Sequence, residues 1–63
     1  MTIPARALLT SDLVHFEGLF SPVRAIKRSH QTVNITLIGL TVDIVLSVEP
    51  LRHVTIRPRN QGN

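Results

Sequence analysis

Alternation of apolar and polar residues organises the middle of the chain. From Thr32 to Leu37 the apolar positions are Val33, Ile35 and Leu37. Beyond Gly39 they resume at Val42, Ile44, Leu46 and Val48, with Asp43 and Ser47 on the other side. A period of two with β-branched enrichment predicts two strands, because successive side chains of a strand point to opposite faces. Between them, Gly39-Leu40 predicts a two-residue hairpin loop with glycine first, as a type II′ turn prefers. That register sets Leu37 opposite Val42, Ile35 opposite Ile44 and Val33 opposite Leu46, collecting the aliphatic side chains on one face. A slip of one residue mixes the faces, whereas a slip of two preserves them, so the faces are specified more firmly than the register.

Upstream, Leu13 to Phe20 predicts a further strand, with Val14 and Phe16 on one side, His15 and Glu17 on the other, and a bend or bulge at Gly18. Ser21-Pro22 interrupts it and Val23 to Arg28 resumes. There Val23, Ala25 and Ile26 break strict alternation, which predicts a bulge that flips the phase. Ser29-His30-Gln31 connects to the central hairpin. Glu49-Pro50-Leu51-Arg52 predicts a single helical turn with proline near its start. His53 to Arg57 is a last short strand, with Val54 and Ile56 on one side. Ala5 to Leu9 fits either a turn of helix or a strand edge. Five short strands this close together remove their exposed edges by curling into a barrel. The expected core is Val33, Ile35, Leu37, Val42, Ile44, Leu46, Val54 and Ile56. One domain over residues 1–57 is expected, with the polar residues 58–63 as a flexible tail.

Composition narrows the chemistry. At 63 residues the chain has one thin core, since a body this size buries only about 60% of the surface its unfolded form exposes. Absence of cysteine excludes disulfides, thiolate metal sites and thiol catalysis. Phe16 and Phe20 are the only aromatics, which removes aromatic cages and platforms for stacking bases. The apolar stretch near the N-terminus is too short for a secretion signal. Ile35 to Val48 carries Asp43 and falls short of the ~20 residues of a membrane span. A cytoplasmic protein without membrane contact is the expectation.

The run Leu8-Leu9-Thr10-Ser11-Asp12-Leu13-Val14-His15-Phe16-Glu17-Gly18 resembles the opening of small SH3-like barrels, where a leucine precedes a Gly-Asp turn, a strand and a glycine. Glu49-Pro50-Leu51-Arg52-His53-Val54 resembles the short helical turn that such barrels place before their last strand. The resemblance spans about Leu8 to Arg57 and is similar in particular to short SH3-like proteins of actinobacteria and their phages. It implies an all-β, small five-stranded SH3-like barrel with one short helical turn before the last strand. Ser11 stands where the pattern has glycine, so a positive φ there would be strained. SH3-like barrels serve ribosomal, chromatin, peptide-binding and plasmid-enzyme roles alike, so the fold does not choose an activity.

Two kinds of partner fit the residues. Seven Lys and Arg against four Asp and Glu give a formal charge of +3, which attracts polyanions. Arg24 and Arg28 share one side of their strand and Lys27 joins them through the bulge. Arg52 and Arg57, with Arg59 in the tail, extend this to a phosphate-contacting surface. The reading is an accessory factor in nucleic-acid transactions, binding weakly and without regard to sequence. The alternative is a protein–protein interaction module, a homo-oligomer or a phage-encoded modulator of a host complex. It rests on Leu19, Phe20, Ile38, Leu40 and Val45, which with Leu13 are left over from the core and cluster at turns. A third class, an oligomeric enzyme with its site on a symmetry axis, has least support. His15, His30 and His53 are the only candidate bases and none lies at metal-ligand spacing from another. Ser11-Asp12 reads as a turn cap before it reads as a nucleophile. A chain this small is expected to lack a concavity of about 300 Å³. No catalytic, cofactor or metal site is therefore expected.

Overall fold

A computed structural model describes residues 1–59; residues 60–63 of the expected tail lie outside the described residues. Six strands and a 3-10 turn follow one another: β1 Thr2–Pro4, the turn Ala5–Ala7, β2 Leu13–Phe16, β3 Leu19–Arg28, β4 Val33–Leu37, β5 Ile44–Val48 and β6 His53–Thr55. No α-helix occurs among the described residues, so the chain is all-β. Strands β2 to β5 form an antiparallel meander in chain order, while β1 and β6 pair as a separate two-stranded sheet. The two sheets meet where Val14 bridges Ile56 and the Arg57 amide donates to the Leu13 carbonyl at 2.9 Å.

The expected strand Leu13 to Phe20 is two strands folded on themselves. Phe16 faces Leu19, leaving Glu17-Gly18 as the whole loop, with φ of 50° and 84°. Left-handed backbone at both central residues matches a type I′ turn, whose twist suits the flanking strands. Gly18 is therefore a hairpin residue rather than a mid-strand bend. The expected bulge is present, as the β3–β4 register shifts between Val23 and Ala25. It brings buried Val23 and half-buried Ile26 to the same core despite their odd spacing.

The β4–β5 pair keeps its predicted faces and loses its predicted register. Leu37 faces Ile44, Ile35 faces Leu46 and Val33 faces Val48, two residues from the expected pairing. The loop is consequently residues 38–43 instead of Gly39-Leu40. Gly39 has no positive φ, so a type II′ turn is absent. A Cβ at position 39 would stand 1.9 Å from the Val42 carbonyl oxygen, so glycine is required by close backbone approach. Val42 leaves the expected core for the loop, where it is 72% exposed. Ser11 also lacks a positive φ and carries no such strain.

Near the end of the chain, the Arg52 amide donates to the Glu49 carbonyl at 3.0 Å, making one hydrogen-bonded turn where a helical turn was expected. The N-terminal segment lies along it, with the Ala5 and Arg6 amides donating to the Arg52 and Pro50 carbonyls at 2.8 and 2.9 Å. The buried core is Ile3, Ala5, Leu8, Val14, Val23, Val33, Ile35, Leu37 and Ile56. Ile44, Leu46 and Val54, expected inside, form a half-buried rim with Phe16, Ile26 and Val48.

Candidate functional site

Two turns distant in sequence come side by side because the Ile38 amide donates to the Pro22 carbonyl at 3.0 Å. Between the β2–β3 turn and the β4–β5 loop lies an open groove of about 510 Å³, lined chiefly by Phe16, Leu19, Phe20, Ile38, Leu40 and Ile44. The expectation that so small a chain lacks such a concavity is overturned, because the β2–β3 hairpin and the six-residue loop bound one between them. Leu40 is 97% exposed and Leu19 60%. Single exposed aliphatics are ordinary, whereas several around one concavity mark a contact surface. Cross-strand from Phe20, the exposed His15 packs edge-on against its ring, with centroids 5.1 Å apart and planes at 64°. That geometry suits the quadrupole of an aromatic pair and fixes the ring at the rim. Of the five residues expected at an interface, Leu19, Phe20, Ile38 and Leu40 line this groove. Val45 does not; it lies exposed on the outer sheet face, opposite Thr36.

The expected basic surface is divided. Arg24 Nε sits 2.7 Å from Asp43 Oδ2 in an exposed ion pair. Lys27 lies in an outer row with Asn34 and Ser47, whose hydroxyl donates to the Asn34 Oδ1. One residue further, Arg28 falls on the opposite face by strand alternation. Its guanidinium crosses to the N-terminal turn and donates to the Leu8 carbonyl and, from Nε at 3.3 Å, to the Arg6 carbonyl. Arg52 reaches the same turn from the other side through its backbone, and Arg57 lies beyond β6 beside Leu13. The N-terminal turn that carries Arg6 is thus held by the Arg28 side chain and the Arg52 backbone, and Arg24 and Lys27 lie on another face.

A buried carboxylate forms an ion pair that has no signature in the sequence. Asp12 is 4% exposed, and Arg59 donates to both its oxygens, from Nε at 2.9 Å and from Nη2 at 2.7 Å. The Leu9 amide adds a third bond to Oδ2 at 2.9 Å. Arg59 Nη2 also donates to the Ala7 carbonyl at 3.2 Å. Hydrogen bonding from Arg59 is the main cause that holds the Asp12 carboxyl below its ordinary pKa, with the Leu9 amide and the guanidinium charge assisting and burial opposing. Ser11-Asp12 did signal a turn cap, and Asp12 fills that role; its guanidinium partner 47 residues away had no local signature. Arg59, expected in the flexible tail, is fastened to the body of the domain by these bonds.

His30 and His53 are exposed. Among the described residues no helix is long and apolar enough to cross a membrane. Comparison with protein-family models, with curated proteins and with solved structures finds no match to this chain.

Proposed function

We propose that this chain is a small, non-catalytic binding module of the cytoplasm, built as an SH3-like barrel, that docks a protein partner in the apolar groove. Support for the barrel comes from the β2–β5 meander, the hydrogen-bonded turn at Glu49–Arg52, and a last strand that returns to β2 at Val14 and Ile56. In that reading β1 is an added strand. The observation that carries the function is the convergence of Leu19 and Phe20 with Ile38 and Leu40 on one concavity. Anchors of this kind, desolvated in a groove, supply most of the energy of a small interface.

The test compares proteins captured by the immobilised chain with those captured by Phe20→Ser and Leu40→Ser variants. Leu40 is 97% exposed, so its variant keeps the wild-type melting temperature. Both changes abolish capture of the specific partner; undiminished capture by either variant refutes the groove as the docking surface.

The second reading is weak, sequence-independent contact with nucleic-acid phosphates. It is favoured by the meeting of three arginine positions at the N-terminal turn, Arg6 on it, Arg28 through its side chain and Arg52 through its backbone, with Lys27 and Arg57 elsewhere. Retention on duplex DNA at low salt, falling about 10³-fold or more between 50 and 200 mM salt if six or more phosphates are engaged, is its signature. No retention at low salt excludes it.

A further inference from the structure

Among the described residues strand β5 is the outer strand of its sheet, and its ladder bonds run to β4 alone. In an antiparallel pair, alternate residues turn their N–H and C=O groups away from the neighbour. β5 therefore presents unpaired main-chain groups along its free side. Edges of this kind are ordinarily blunted by a charge, a proline or a bulge. Ile44–Val48, with sequence IVLSV and an unbroken register, has none of these.

Each end of β5 opens on a groove. At its start, Ile44 lines the apolar groove beside Ile38 and Phe20. Just past its end, Glu49, Pro50 and Leu51 join His30 around a second open groove of about 630 Å³. Leu51 is 64% exposed, and exposed Glu49 makes no ion pair among the described residues. Apolar anchorage at one end, main-chain bonding between, and an unpaired carboxylate at the other describe the complement of an extended peptide.

We propose that β5 accepts such a peptide as an added strand. The segment would place an aliphatic or aromatic side chain in the groove at Ile44 and a lysine or arginine against Glu49. Five strand residues at ~3.4 Å each, plus the two anchors, set its length at about seven to nine residues. A second copy of β5 fits less well. The self-pairing that matches all five residues is centred on Leu46, and it sets opposite each Glu49 an Asp43 already paired with Arg24, so neither Glu49 gains a cation of its own. A foreign segment with a cation at that position supplies one.

This inference rests on the groove reading, and one experiment separates the two. The whole chain is used to select from a random nine-residue peptide display library. Enriched peptides are then synthesised with single N-methyl groups at each position. Strand addition predicts a period of two: N-methylation at alternate amides weakens binding about tenfold or more, and at the intervening amides less than about twofold. Glu49→Lys and Leu40→Ser each weaken binding as well. Peptides that lose affinity with Leu40→Ser yet tolerate N-methylation at every position overturn strand addition and leave the groove reading standing. Peptides indifferent to Leu40→Ser but sensitive with period two overturn the groove reading as the anchor and uphold the added strand. No enrichment, or self-association that protects the β5 amides from exchange, overturns the proposal.

Discussion

Arg59→Ala takes the guanidinium from a carboxylate that stays buried. The Asp12 side chain is 2% exposed and that of Arg59 31%. After the change the Asp12 carboxylate keeps, among the described residues, the Leu9 amide alone. Hydrogen bonds to a charged group are worth about 1.5–3 kcal/mol, and stranding one member of a fully buried pair costs about 3–5 kcal/mol. Water reaches one side of Arg59 and screens that part of the pair, which places the loss near the lower end, at about 2 kcal/mol. A chain of this length has only about 3–9 kcal/mol of stability altogether, at ~0.05–0.15 kcal/mol per residue. A loss of about 2 kcal/mol corresponds to a fall of roughly 8–16 °C in melting temperature for a domain this small. With no Trp or Tyr in the chain, the assay is far-UV circular dichroism or calorimetry at pH 7. Asp12→Ala should cost a similar amount, and the double variant less than the sum, because the two residues act through one contact. A melting temperature for Arg59→Ala within about 2 °C of wild type, or strict additivity in the double variant, refutes the reasoning.

Acid supplies a second check on the same pair. The folded-state pKa of Asp12 lies below its ordinary value of 3.8, so its contribution is complete above about pH 4 and disappears as pH falls through the lower folded value. Melting curves taken from pH 7 to 2 should show a stability loss below about pH 4 that Asp12→Asn lacks; parallel profiles contradict this. Glu17→Asn places a residue tolerant of positive φ where the backbone already has φ of 50°, and should recover part of the roughly 1–2 kcal/mol that the left-handed conformation costs an ordinary residue. An unchanged or lower melting temperature counts against the type I′ turn. Gly39→Ala drives a methyl into the Val42 carbonyl, where no side-chain rotation relieves it, and should cost about 1–3 kcal/mol. A wild-type melt would mean that the loop does not cross itself there.

Local chemistry was legible where it was strong. Val33, Ile35 and Leu37 announced a strand and its buried face by alternation alone, and the broken phase at Val23 and Ile26 announced a bulge. Parity is robust in such patterns, but register depends on the loop, and Gly39 serves close approach instead of a tight turn. The pairing therefore slid by two and Val42 went outward. Strand β1 was not legible, because Thr2–Pro4 is too short to show a period and is ordered by partners some fifty residues on. The same holds for Asp12 and Arg59. Of the candidate site, leftover apolar residues at Leu19, Phe20, Ile38 and Leu40 pointed to a surface, since a core of this size cannot hold them all. Val45 shared their character but not their location, because its strand parity points it across the sheet. Formal charge foretold nothing about grouping, because the faces that carry Lys27 and Arg28 are set by alternation and the bulge.

The meander from β2 to β5 is joined by short turns, whereas β1 and β6 find each other across nearly the whole chain. Joining distant segments carries a loop-closure cost that neighbours in sequence avoid. The pairing of β1 with β6 therefore carries a larger closure cost than any hairpin of the meander. Arg28 and Arg59, which hold carbonyls of residues 6–8, act as the fasteners that keep this outer seam shut.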